Sequence, residues 1–133
     1  MQVIPEPAEQ EKTELGDTRS GLQPNLAAAL AYVFTIITGT IFFIIEKENK
    51  YVRFHAMQAI LMGTALFIIW TILAIFSAAI LPFMPISVWF INSAINLVAG
   101  LGWLILWALL MYKAYHGKKF KLPVIGNIAE RKA

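Results

Sequence analysis

The chain contains no cysteine, which excludes disulfides, thiolate metal sites and a cysteine nucleophile. Charge is scarce: 14% of its residues are charged and 59% are apolar, against about 25% and roughly 45 to 50% in soluble domains. There is no Walker phosphate loop, no Rossmann glycine fingerprint and no His-Glu-x-x-His pattern, and neither a long internal repeat nor a heptad pattern is visible. No pair of acids or bases stands inside an apolar run, and the two histidines have no evident company as metal ligands. These absences point away from an enzyme and from any catalytic residue, bound cofactor or metal. A length of 133 residues leaves room for one domain.

What the chain does have is apolar length. Residues 1–25 are rich in Glu, Gln, Pro and Gly, with five acids and two bases, and are expected to form a disordered acidic tail. The tail has neither the basic start and apolar core of a secretory signal nor the Arg- and Ser-rich composition of a transit peptide. Insertion is therefore expected to rely on the first apolar run. Residues 26–130 form the expected membrane domain, with helices over about 26–45, 56–81 and 88–111. At about 1.5 Å per residue, each reaches the ~30 Å of a hydrocarbon core. The stretch Pro82 to Ser87 carries no charge and two prolines, and is expected to be a tight turn. The predicted architecture is an all-α integral membrane protein. Three transmembrane helices form a compact bundle, with close approach at small residues such as Ala28, Ala31, Gly39, Ala59 and Gly63.

Three spans put the 46–55 hinge and the C-terminal segment on one side. Nine Lys and Arg lie there, against Lys12 and Arg19 on the other, so the positive-inside rule predicts a cytoplasmic C-terminus and an outside N-terminus. The rival topology makes the first run a re-entrant or interfacial helix and leaves the tail inside. The basic run after the third span, His116 to Lys121, is expected to meet the anionic headgroups of the bilayer rather than nucleic acid.

Two groups of polar residues stand out. Arg53, His55 and Gln58 crowd the start of the second span, where they form either a polar vestibule or, as the simpler reading, an interfacial anchor and a bond between helices. Asn92 and Asn96 share one face of the third span with Gly100, Trp103 and Trp107, within an arc of about 80°. That face is expected to point into protein, against the Thr35 and Thr38 side of the first span, or to line a polar path in an oligomer.

The run Glu46 to Ala59, EKENKYVRFHAMQA, and the run Lys113 to Ala129, KAYHGKKFKLPVIGNIA, resemble a family of small prokaryotic membrane proteins of unknown function. That family is described as similar to the twenty-kilodalton import component of the chloroplast inner envelope, hence Tic20-like. The resemblance covers about Asn25 to Glu130. It implies a multi-pass protein of the prokaryotic cell membrane and a link to protein transport. It also marks Arg53, His55, Gln58, Gly117, Lys118, Pro123 and Gly126 as shared positions without an assigned role. Gly117 can end the third span in a left-handed cap, Pro123 turns the chain, and the apolar Leu122, Val124, Ile125 and Ile128 can fold back along the membrane surface against Tyr51 and Phe54. Hinge and tail are thus expected to form one cytoplasmic platform. The expected function is that of a non-enzymatic subunit or scaffold of a membrane complex, working as a homo-oligomer or with a membrane-protein partner. The alternative is a small oligomeric channel or carrier around Asn92 and Asn96.

Overall fold

The computed structural model describes residues 15–133; the first fourteen residues, most of the expected acidic tail, lie outside the described residues. The described chain is all-helical, with α1 at Pro24–Leu30, α2 at Ile36–Ile45, α3 at Lys50–Ile80, α4 at Ile86–Tyr115 and α5 at Ile125–Lys132. A short 3-10 turn, Leu81–Phe83, joins α3 to α4 where the two prolines end one helix and start the next.

The first expected span differs most from expectation. It is two helices of 7 and 10 residues, not one of twenty. At about 1.5 Å per residue neither reaches across a bilayer. The chain breaks at Thr35, with φ 41° and ψ −88°, a conformation a β-branched residue rarely adopts. Neither glycine nor proline lies between Ala31 and Thr35, so tertiary bonds impose the break. The Trp107 indole donates to the Tyr32 carbonyl at 2.7 Å. The Thr38 hydroxyl donates to the Ala31 carbonyl and accepts from the Phe34 amide, covering groups that the interrupted helix leaves open.

The break turns the segment back on itself. α2 runs antiparallel along the first half of α3, and Gly39 and Gly63 allow the approach: a Cβ on Gly39 would stand 2.9 Å from the Ala56 carbonyl oxygen. α1 wedges between α3 and α4 at their charged ends, where Asn25 donates to the Tyr115 carbonyl. Residues 19 and 20, at one end of the α1–α2 pair, bond Glu46 at the other end. Both ends of the pair therefore lie at the same end of the fold as the C-terminal segment. The placing of the N-terminal and C-terminal segments on opposite sides is corrected accordingly for the described residues, whose two ends lie at one end of the fold.

α3 and α4 are the two helices long and apolar enough to cross a membrane. α3 starts at Lys50 because the Asn49 side chain caps it, accepting from the Val52 amide at 3.0 Å, and this shortens the expected hinge to 46–49. From Phe54 to Tyr112 the chain carries no Asp, Glu, Lys or Arg, so every described charge belongs to the end away from the α3–α4 turn. The core lies at that charged end, built from Ala27, Ala28, Tyr32, Val52, Ala59, Met62, Leu110 and Ala114.

The expected compact bundle is not formed. α3 and α4 make little direct contact with each other; Ser77 approaches Asn92 at 3.4 Å near the turn, and α1 holds the helices apart at the other end. Large apolar side chains from Phe67 to Ile105 stand in the open, Phe76 at 65% and Phe90 at 71% exposure. In water such an apolar surface would be a liability, whereas in hydrocarbon it is matched to its solvent.

Candidate functional site

The polar centre of the fold lies at the junction of α1, α3 and the segment after α4. Gln58, fully buried, uses its whole amide there. It donates to the Tyr32 hydroxyl at 3.0 Å and to the Phe120 carbonyl at 2.9 Å, and accepts from the Leu122 amide at 3.2 Å. The Tyr32 hydroxyl meets His55 Nδ1 at 2.9 Å. His55 is itself buried among the rings of Tyr32, Tyr51 and Phe54, whose centroids lie 4.7 to 5.7 Å away. The Tyr51 hydroxyl donates to the Ala114 carbonyl, tying the start of α3 to the end of α4. A buried network of this kind holds three chain segments in one arrangement, with His55 Nε2 its one buried side-chain atom left without a hydrogen-bond partner among the described residues.

Above it sits a clamp. The two carboxylate oxygens of buried Glu46 accept from the backbone amides of Arg19 and Ser20 at 2.8 and 2.9 Å. Asn49 Nδ2 donates to the carbonyls of Leu15 and Asp17, both at 3.0 Å. So the described end of the expected disordered tail, residues 15–25, is tied down. Burial opposes ionisation of Glu46, but hydrogen bonds from Ser20 and Arg19 and the nearby Arg19 charge more than offset it. The carboxyl is held below its ordinary range. Since the folded pKa lies below the unfolded one, the clamp adds stability above the unfolded value and loses it as pH falls through the folded value. The amide NMR signals of Arg19 and Ser20 are therefore expected to shift together in one titration below the ordinary carboxylate range, and to stop titrating there in Glu46→Gln. A midpoint at or above the usual carboxylate value would contradict the clamp.

The residues singled out in the sequence are distributed unevenly over this arrangement. Arg53 does not open a vestibule: its guanidinium lies 4.0 Å over the Phe43 ring and donates to the Phe43 carbonyl, fastening α2 to α3. His55 and Gln58 are buried. Gly117 adopts φ 75° at the end of α4, and the Lys118 amide closes back on the Lys113 carbonyl at 3.0 Å. Lys118 is exposed, whereas Gly126 is buried so tightly that a Cβ would stand 2.6 Å from that of Lys121. Pro123 precedes Val124, which takes φ 65° to turn the chain into α5. Leu122 packs on the core, but Val124 is 70% exposed, so the expected fold-back is made by Leu122 and α5 without it.

Asn92 and Asn96 lie on the less exposed face of α4 but do not reach Thr35 or Thr38; Asn96 donates to the Asn92 carbonyl of its own helix. Gly100 and Gly102 have open space where a Cβ would be. Tyr32, Glu46 and Asn49 carry the network and the clamp and were not singled out, while Trp107 was named only for its place on the Asn92 and Asn96 face. The available signal was a lone tyrosine inside the first apolar run, where its polar tip demands a partner.

The fold is thus that of a small all-helical protein with two membrane-length helices and a charged end. The magnetosome magnetite crystal formation protein family matches residues 22–129, and the chain belongs to that family. It is 46% identical over 117 residues to a UPF0132 membrane protein of Methanocaldococcus jannaschii, covering 88% of this chain and 94% of the relative. A second UPF0132 membrane protein of that organism is 39% identical over 84% of this chain and 71% of its own length. One from Archaeoglobus fulgidus is 39% identical over 83% of this chain and 95% of its own length. No solved structure matches. These matches overturn the resemblance to the Tic20-like family, and the implied link to protein transport falls with it. What stands is a membrane-protein family of unknown function.

Proposed function

We propose that the chain is a non-enzymatic subunit or scaffold of a membrane assembly. In this reading α3 and α4 cross the bilayer of the prokaryotic cell as a hairpin, and the α1–α2 pair is re-entrant. The observation that carries it is the distribution of surface. One end is a platform of ten basic and four acidic side chains fastened by the Gln58 network and the Glu46 clamp, while α3 and α4 beyond it stand apart and uncovered. By the positive-inside rule the platform faces the cytoplasm, toward anionic headgroups and not nucleic acid, and with it go both the C-terminal segment and residues 15–25. Helices that do not pack on each other within one copy are suited to pack on a second copy or on another membrane protein.

The family's description speaks of magnetite crystal formation in magnetosomes. Carried to this chain, it makes the platform the surface where such an assembly is organised. The cationic excess suits anionic partners there. The channel alternative has less support: the crevice between α3 and α4 is lined by Ile72, Phe76, Val88, Ile91 and similar side chains, with Ser77 and Asn92 its only polar members.

The test is gentle extraction from native membranes, with particle mass and composition determined together. A particle of two or more copies, or a partner at equal amount, is the expected result. A monodisperse single copy with nothing attached would overturn the reading, and ion or solute flux from the purified oligomer would replace it with the channel. Arg53 and His55 are unsuitable for probing the platform because both serve the fold. The exposed Lys118, Arg131 and Lys132 are the positions to reverse.

A further inference from the structure

Beside the clamp, a recess of about 500 Å³ opens at the charged end, between the first turn of α3, the turn at residues 15–17 and Lys119 from the loop after α4. Its wall is fixed, because buried Asn49 caps α3 with one side-chain atom and holds the Leu15 and Asp17 carbonyls with another. Lys50 and Lys119 line it together with Asp17 and Glu48, and Tyr51 contributes to the floor. Among the described residues the only ion pair is that of Lys121 with Glu130, so these four charges are not neutralised by one another.

A recess with two cations and two carboxylates suits neither a bare anion nor a bare metal ion, since each meets two like charges. A group carrying both signs satisfies both pairs. Lys50 also opens a 31-residue helix, whose positive end favours a phosphate even though the Val52 amide is already taken by Asn49. The recess lies at the level where the charge-free run of α3 begins, which is headgroup depth for a membrane hairpin.

We propose that this recess binds the phosphoethanolamine headgroup of a membrane lipid, with the phosphate between Lys50 and Lys119 and the ammonium at Asp17 and Glu48. The site rests on the membrane-embedded hairpin and not on the scaffold role, so particle mass and lipid selectivity fail independently.

The experiment is native mass spectrometry of the full chain in mild detergent, titrated with phosphatidylethanolamine, phosphatidylcholine and phosphatidylglycerol. Retention of phosphatidylethanolamine is expected to exceed that of the other two, because a quaternary ammonium offers the carboxylates no N–H and a glycerol headgroup offers no cation. Lys50→Gln with Lys119→Gln is expected to cut its retention about thirtyfold, the factor corresponding to ~1 kcal/mol for each of the two lysines. The same charge change at Lys118 and Lys132, outside the recess, is expected to leave the preference for phosphatidylethanolamine over the other two lipids unchanged. Asp17→Asn with Glu48→Gln is expected to erase the preference over phosphatidylglycerol. Equal retention of the three lipids, or equal losses in the recess and control pairs, would overturn the site. Displacement by free glycerophosphoethanolamine at the concentration at which the lipid itself binds would overturn the lipid as its source.

Discussion

Replacing Gln58 with leucine is expected to release the C-terminal segment from the membrane domain. Leucine fills a similar space but carries no polar group, so the Phe120 carbonyl and the Leu122 amide lose their side-chain partner and the Tyr32 hydroxyl keeps only His55. A buried polar group left unpaired costs about 1–3 kcal/mol, so two orphaned backbone groups cost about 2–6 kcal/mol if the segment stays in place. Detachment into water is the cheaper response, because the segment is short and α5 spans only eight residues. The absence of native cysteine gives a clean probe: Ala129, fully buried in α5, can be replaced by the chain's single cysteine. Maleimide labelling of Ala129→Cys is expected to be slow with Gln58 present and at least about tenfold faster with Gln58→Leu, the factor corresponding to ~1.4 kcal/mol. Equal labelling rates would mean that the amide does not hold the segment.

The second large effect is expected at Gly39. A Cβ there would stand 2.9 Å from the Ala56 carbonyl oxygen and 3.0 Å from Ile60 Cγ1. The first of these is backbone inside α3 and cannot yield. Gly39→Ala is expected to cost about 1–3 kcal/mol by overpacking, and Gly39→Leu to separate α2 from α3. Gly63 faces the same seam from α3, where a Cβ would stand 2.7 Å from Thr35 Oγ1 and 2.8 Å from Ile36 Cγ1, both on β-branched side chains. Gly63→Ala is therefore expected to destabilise the seam as well. Gly100→Ala and Gly102→Ala meet nothing within 4 Å and are expected to be neutral or to stabilise α4 by up to about 1 kcal/mol. Thermal unfolding in detergent, followed by fluorescence of the four tryptophans, ranks the variants. A destabilised Gly100→Ala beside an unaffected Gly39→Ala would invert the assignment of the seam.

Particular elements show how far the sequence could be read. The α3–α4 turn stood out because two prolines in a charge-free stretch leave little else for the backbone to do. Gly117 was identifiable as a helix stop because only a residue without a Cβ takes a positive φ cheaply. Arg53, His55 and Gln58 could be found as a group, but their roles could not: an exposed vestibule and a buried network use the same residue types. The break at Thr35 left no local mark, because Ala31 to Thr35 are all compatible with a continuous helix in lipid. It exists because Tyr32 and Thr38 find partners that a straight helix would deny them.

Residue by residue, the sequence alone determined that this chain is helical and membrane-bound and where its charges lie, because apolar length and the placement of Lys and Arg are local, additive properties. The tertiary structure decided that the first apolar run folds back, that residues 15–25 are tied to the charged end, and that the long helices stand apart. Those outcomes depend on which distant groups satisfy Tyr32, Gln58 and Glu46, and hydrogen bonds between residues 26 to 75 positions apart are not encoded in any local pattern.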